Sequence, residues 1–164
     1  GKLPLMVGGE EAVCAAVQPL FEEIAGNVTR IGPVGAGQTM KILNQAIVGV
    51  NYILMAELLA TAKAAGVDPD LLPVCLKGGL ADSMILQRIY TQMAADDFDP
   101  PRSYARQVNK DLVSVSKFIG KLGLDLPLIE LAVQRYRAYA EAGNEMEDSA
   151  SVSRLYERQG GGEV

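Results

Sequence analysis

Gly32-Pro33-Val34-Gly35-Ala36-Gly37-Gln38-Thr39-Met40-Lys41-Ile42-Leu43-Asn44-Gln45 joins two unlike parts of the chain. Upstream, a short apolar run over 3–7 is closed by Gly8-Gly9 and predicts a strand. Residues 10–25 predict a helix, with Val13, Val17, Leu20, Phe21 and Ile24 at helical spacing and Gly26-Asn27 as its stop. A second β-prone run covers 28–31. A single β-α-β unit does not make a stable sheet. Residues 1–31 are therefore expected to be the end of a larger α/β domain, the alternative being a small appendage on a helical domain. Downstream, everything reads as helix. Residues 36–65 form one long helix ended by Gly66, too apolar for a single buried stripe and so expected to be enclosed on several sides. Asp68 and Pro69 open a short helix to about residue 77, with further helices over 82–94, 103–122 and 126–141. Asp148 or Ser149 caps a last helix to about residue 158. The fold class expected is mostly α around one long helix: a β-α-β piece over 1–31, a helical domain over 32–159 and a frayed tail over 160–164.

Composition removes several function classes. Hydrophobic residues make up 49% of the 164, enough for a real core. The net charge is −5, which argues against nucleic acid or an anionic membrane surface as partner. Histidine is absent, so Ser-His-Asp triads, Cys-His pairs and His-based metal sites are all excluded. Proton transfer near neutral pH falls to Lys, Asp, Glu, Tyr or Cys. The two cysteines, Cys14 and Cys75, are too few for a disulfide scaffold or a zinc cluster and are expected to be buried free thiols in a reducing compartment. The most apolar window, 42–65, is interrupted by Asn44, Gln45, Asn51, Glu57 and Lys63. No stretch is therefore expected to supply the ~18–20 apolar residues of a membrane span. The N-terminus lacks the pattern of a signal peptide, and the cytoplasm is the expected location.

The glycines of the joining segment invite comparison with phosphate loops, but the details differ. Gln38-Thr39 stand where a P-loop needs Lys and then Ser or Thr, and the spacing is G-x-x-G-x-G, not G-x-G-x-x-G. Beyond the glycines, Lys41, Asn44 and Gln45 sit at i, i+3 and i+4 and project together from an otherwise apolar stretch. A lysine in low dielectric has its neutral form favoured, which suits an acid/base, and carboxamides can hold a hydroxyl and a carboxylate without adding charge. The plain alternative is a solvated polar stripe. Asp96-Asp97 alone are poor grounds for a metal site, and Tyr136, Tyr139 and Tyr156 suit packing better than chemistry.

The pattern G-x-x-G-x-G-Q-x-x-K-x-x-N-Q resembles the catalytic-lysine motif of the β-hydroxyacid dehydrogenases, the family of 3-hydroxyisobutyrate dehydrogenase and tartronate semialdehyde reductase. Leu5-Met6-Val7-Gly8-Gly9 resembles the family's seventh strand, Phe98-Asp99-Pro100 its F-x-P loop, and Lys110-Asp111-Leu112 its K-D-L. The resemblance implies that the β-α-β piece is the end of a Rossmann domain. It implies that Lys41 is the catalytic acid/base, that Asn44 and Gln45 orient the substrate, and that Lys110 reaches the cofactor with Asp111 beside it. Gln45 is more like the tartronate semialdehyde reductase branch. The implied cofactor is NAD or NADP, whose fingerprint is not among these residues, and the implied substrate is a small β-hydroxyacid. The implied assembly is a homodimer or larger homo-oligomer built through the helical domain. Where relatives often carry an aromatic residue seven positions before the K-D lysine, this chain has Ser103, followed by Tyr104. A helical dimerisation or ligand-binding module without catalysis is the rival function.

Overall fold

The computed structural model describes residues 3–157. Its elements are β1 (Leu3–Gly8), α1 (Glu11–Ile24), β2 (Ala25–Gly32), α2 (Ala36–Ala64), α3 (Leu71–Leu76), a π-helical turn (Leu86–Tyr90) running into α4 (Thr91–Ala94), α5 (Ala105–Lys121), α6 (Pro127–Tyr139), a second π-helical turn (Ala140–Asn144), and a 3-10 turn (Ser149–Ser153) running into α7 (Arg154–Glu157). The chain divides into two compact units, Gly1–Gln45 and Ala46–Val164, with the division inside α2. The expected tail over 160–164 lies outside the described residues.

In the first unit β1 and β2 pair in parallel, with Leu5 opposite Val28 and Val7 opposite Arg30. β2 begins at Ala25, three residues earlier than its β-prone core suggests, because pairing to Leu3 takes the chain straight from helix into strand. Gly26-Asn27 are thus strand residues and not a helix stop. The apolar stripe of α1 is not buried as expected: Val13, Leu20 and Ile24 are 58%, 69% and 65% exposed. Two strands are too narrow to cover a helix of 14 residues. Cys14 is the buried residue of α1.

The second unit is built on the later turns of α2. Tyr52, Ile53, Met55, Ala56 and Leu59 are buried and share a core with Leu86, Tyr90, Met93, Leu112, Val133, Tyr136 and Val152. By length and composition α2 is apolar enough to cross a membrane, with a mean hydropathy of 1.5 in its best window. This corrects the expectation from the sequence, since the many Ile, Leu and Val residues of α2 outweigh the scattered Asn44, Gln45, Asn51 and Glu57. Core helices pass the same test, and between Ala46 and Leu59 α2 puts Ala46, Tyr52, Ile53, Met55, Ala56 and Leu59 into the core while Ile47 and Leu54 stay exposed, so it is not enclosed on several sides as expected.

Helix ends mostly fall within two residues of the sequence pattern, and local hydrogen bonds explain the shifts. Asp68 accepts the N–H of Asp70 at 3.0 Å, so a turn precedes α3. Ser83, rather than Asp82, receives the first helical donor, from Leu86 at 3.0 Å. Asp82 instead accepts from Gly78 N–H and Gln87 Nε2, which holds its carboxyl below the ordinary carboxylate range, the Gly78 bond being the largest cause. Pro127 opens α6. Cys75, expected to be buried, is exposed because α3 is only six residues long and turns that position outward.

α2 and α5 pack through a glycine. A Cβ on Gly49 would lie 2.8 Å from Leu112 Cγ, and closer still to one of its methyls, while Leu112 is fully enclosed and has nowhere to move. Gly49→Val is therefore expected to destabilise the protein by about 2 kcal/mol or more. Thermal unfolding should show Leu112→Ala costing about 2–5 kcal/mol alone, yet the double variant losing less than the two single losses combined.

Candidate active site

The head of α2 is pinned by backbone contacts. Gly9 N–H donates to Gly32 O at 2.9 Å, and Arg30 Nε donates to Gly9 O at 3.0 Å. Ala36 N–H donates to Pro33 O, and both the N–H and hydroxyl of Thr39 donate to Gly35 O. A Cβ on Gly8 would lie 2.6 Å from Pro33 O and 2.9 Å from Ala36 N; one on Gly37 would lie 3.1 Å from the carbonyl carbon of Met6 and closer to its oxygen. These two glycines are required by the close approach of the chain to itself. Gly35 is required by its φ of +92°.

One turn beyond Gly37, Lys41, Asn44 and Gln45 share a face of α2. Asn44 Nδ2 donates to Gln45 Oε1 at 2.8 Å, so the carboxamides hold each other's orientation. Lys41 and Asn44 are exposed and Gln45 is half-buried. The expected low-dielectric setting is thus not supplied by the described residues, since the apolar neighbours Leu43 and Ile47 are themselves exposed. An open cleft of about 430 Å³ lies on another face of the same helix start, lined by Ile31, Val34, Thr39, Met40 and Leu43, and does not include the polar trio.

Lys110 and Asp111 lie on α5 in the second unit. Their side chains pair at 3.2 Å, with Lys110 76% exposed and Asp111 29% exposed. An exposed ammonium held beside a carboxylate can meet the hydroxyl and amide groups of a nucleotide, so the donor set suits a nicotinamide cofactor. A cavity of about 800 Å³ in the same unit, lined by Ala56, Glu57, Lys63, Arg135, Ser153 and Tyr156, touches none of the five expected site residues.

Several polar residues of this unit are tied down, while Tyr90 Oη, Asn109 Oδ1 and Ser153 Oγ are buried without a hydrogen-bond partner. Asp97 pairs with Arg102, and Asp96 with Arg154 at 3.5 Å. No group of three or more metal-ligating side chains occurs among the described residues. Ser103 pairs with Ser149 through their hydroxyls, and the ring of Tyr104 lies under Arg106 at 5.3 Å. Tyr136 donates to Ser149 O at 2.8 Å, and Tyr139 exchanges a hydrogen bond with Ser151. Burial raises the hydroxyl pKa of Tyr52, Tyr136 and Tyr139. Tyr156, partly buried and bonded to Glu57, is pushed up to about 12. The cluster around Asp148 and Ser149 was not legible as more than a helix cap, because its partners lie 46 residues upstream.

The family model described as "NAD-binding of NADP-dependent 3-hydroxyisobutyrate dehydrogenase" matches residues 35–156, a stretch that includes all five expected site residues. The chain belongs to the 3-hydroxyisobutyrate dehydrogenase family. It is 37% identical to the 2-hydroxy-3-oxopropionate reductase of Escherichia coli over 94% of its own length and 53% of that protein's. Among solved structures it is similar to a 3-hydroxyisobutyrate dehydrogenase from Salmonella typhimurium, with a TM-score of 0.81 and 30% identity, covering 90% of this chain and 52% of that one. It is also similar to the Mycobacterium tuberculosis 3-hydroxyisobutyrate dehydrogenase solved with L-serine, with a TM-score of 0.86 and 26% identity, covering 95% and 55%. The chain spans about half the length of the curated relatives it matches.

The two modes of glycine use at the head of α2 separate by mutation. Gly37→Ala meets backbone that cannot step aside and is expected to destabilise the protein by about 2–3 kcal/mol, as overpacking does. Gly35→Ala meets nothing within 4 Å and pays only for its left-handed φ, about 1–2 kcal/mol. Chemical denaturation of both variants checks the order; Gly35→Ala being the worse of the two would contradict this packing.

Proposed function

We propose that this chain is the catalytic-lysine domain, the C-terminal part, of an NAD(P)-dependent oxidoreductase acting on a small β-hydroxyacid of the 3-hydroxyisobutyrate or tartronate semialdehyde type. The observation that carries this is the trio Lys41, Asn44 and Gln45 on one face at a glycine-packed helix start, in a chain of this family. The bound cofactor, NAD or NADP, takes up or gives back the hydride. Lys41 does the rest of the acid/base work: its neutral amine accepts the hydroxyl proton as the alcohol carbon is oxidised, and its ammonium returns a proton to the oxygen in the reductive direction. Asn44 and Gln45 orient the substrate's hydroxyl and carboxylate. Lys110, with Asp111 beside it, meets the cofactor.

Other proton carriers are poorly suited. The chain has no histidine, and burial raises Tyr52, Tyr136 and Tyr139 above their ordinary range. Gln45 and the relative named 2-hydroxy-3-oxopropionate reductase, another name for tartronate semialdehyde reductase, support that branch for the substrate. Exposed Leu124, Leu128 and Leu131 support a homodimer or larger assembly through the helical domain.

In the complete enzyme Lys41→Ala is expected to lower kcat by about 10²–10⁴ while leaving cofactor affinity nearly unchanged. Lys41→Arg should be almost as damaging, because a guanidinium does not release its proton near neutral pH. Lys63→Ala, later on the same helix, is the control and should keep its rate. Steady-state kinetics over pH 6–10 check this; a Lys41→Ala enzyme with more than about a third of wild-type kcat would remove the assignment.

A further inference from the structure

We propose that Asp148 is a positioning residue: its carboxylate fixes the segment that launches α5, and through α5 the place of Lys110 at the cofactor. The proposal rests on the cofactor role given to Lys110 above. A helix start leaves backbone N–H groups without partners, and a side-chain cap usually serves them. At α5 the partners come largely from another part of the chain. Ala105 N–H donates to Glu147 O at 2.9 Å and Arg106 N–H to Glu145 O at 3.0 Å. Tyr104 and Asp148 form an antiparallel bridge, and Ser149 N–H donates to Ser103 O at 2.8 Å.

Asp148 locks this short ladder. It is 1% exposed. One carboxylate oxygen accepts Arg102 N–H at 2.7 Å, from the launch segment, and the other accepts Ala150 N–H at 2.7 Å, from its own strip. The paired hydroxyls of Ser103 and Ser149 add a second tie. Tyr136, on α6, and Tyr139 hold the far side of the strip through Ser149 O and Ser151. Lys110 stands five residues into α5 from Ala105, about 7.5 Å along the axis. A shift of the launch segment therefore moves Lys110 directly. Asp148→Asn keeps the shape but turns one acceptor into a donor facing an N–H, so it loosens the tie without opening a cavity.

The test uses the full-length enzyme with NADH and NADPH, comparing Asp148→Asn, Lys110→Ala and the double variant. Asp148→Asn is expected to raise cofactor KM by about fivefold or more with kcat within about twofold. Lys110→Ala should do the same, and the double variant should be no worse than Lys110→Ala alone, the mark of two residues acting through one contact. If Lys110→Ala raises cofactor KM and Asp148→Asn only lowers the melting temperature, Asp148 is structural and the proposal is overturned, with the role of Lys110 intact. If Lys110→Ala leaves cofactor KM unchanged, the role of Lys110 fails and the proposal falls with it. Should Asp148→Asn not fold, Ser103→Ala decides, since it keeps the carboxylate and removes only the hydroxyl tie. It should raise cofactor KM by about twofold, and an unchanged KM overturns the proposal.

Discussion

The backbone of β1 meets the backbone of the first turn of α2 with no side chain between them. Gly8 and Gly37 make this possible, since a Cβ at either position would overlap a carbonyl or an amide of the other segment. Such a contact has little freedom. Side chains adjust by changing rotamer, but two backbones in van der Waals contact, bracketed by the Gly9–Gly32 and Ala36–Pro33 hydrogen bonds, hold one arrangement. Lys41 follows Gly37 by about one turn of helix, so its place on the end of the sheet is inherited from that contact. Asn44 and Gln45 follow one turn later and are coupled by their own hydrogen bond.

The second unit places its candidate cofactor residues by related means. Gly49 lets Leu112 settle against α2, and Leu112 directly follows the Lys110-Asp111 pair on α5. The start of α5 is held by a strip from residues 145–149 in addition to the local cap in which Gln107 Oε1 accepts Tyr104 N–H at 3.0 Å. The tyrosines that support this strip are buried, with hydroxyls bonded to Ser149 and Ser151 and with pKa values raised by desolvation. They stay protonated at physiological pH and act as donors and packing.

Much of the second unit was legible because it depends on local signals. Helical periodicity in α5 and α6, Pro127 at a helix start and the positive-φ glycines Gly66, Gly123 and Gly143 at helix ends are all written within a few residues of where they act. The first unit was less legible for the opposite reason. The early start of β2 comes from pairing with β1, more than 20 residues away, and the exposure of α1's apolar stripe comes from the narrowness of the sheet, which no residue of α1 records. At the candidate site, the spacing of Lys41, Asn44 and Gln45 placed them on one face, but their exposure depends on what surrounds α2 and not on α2 itself. The glycines could be excluded as a phosphate loop by spacing, while their packing role needed coordinates. Asp148 shows the same limit: its cap to Ala150 is local, and its bond to Arg102 is not.

The first unit displays a lysine on a rigid helix start with two carboxamides beside it, and the second carries the exposed Lys110 proposed for the cofactor. The central claim is that the amine of Lys41 carries the substrate's proton. Chemical rescue tests it most directly. In the complete enzyme with Lys41→Ala, small primary amines added to the buffer should restore part of the lost kcat/KM, with the rescued rate rising with amine basicity as a Brønsted relation requires. A rate that no amine of any basicity improves would contradict the claim.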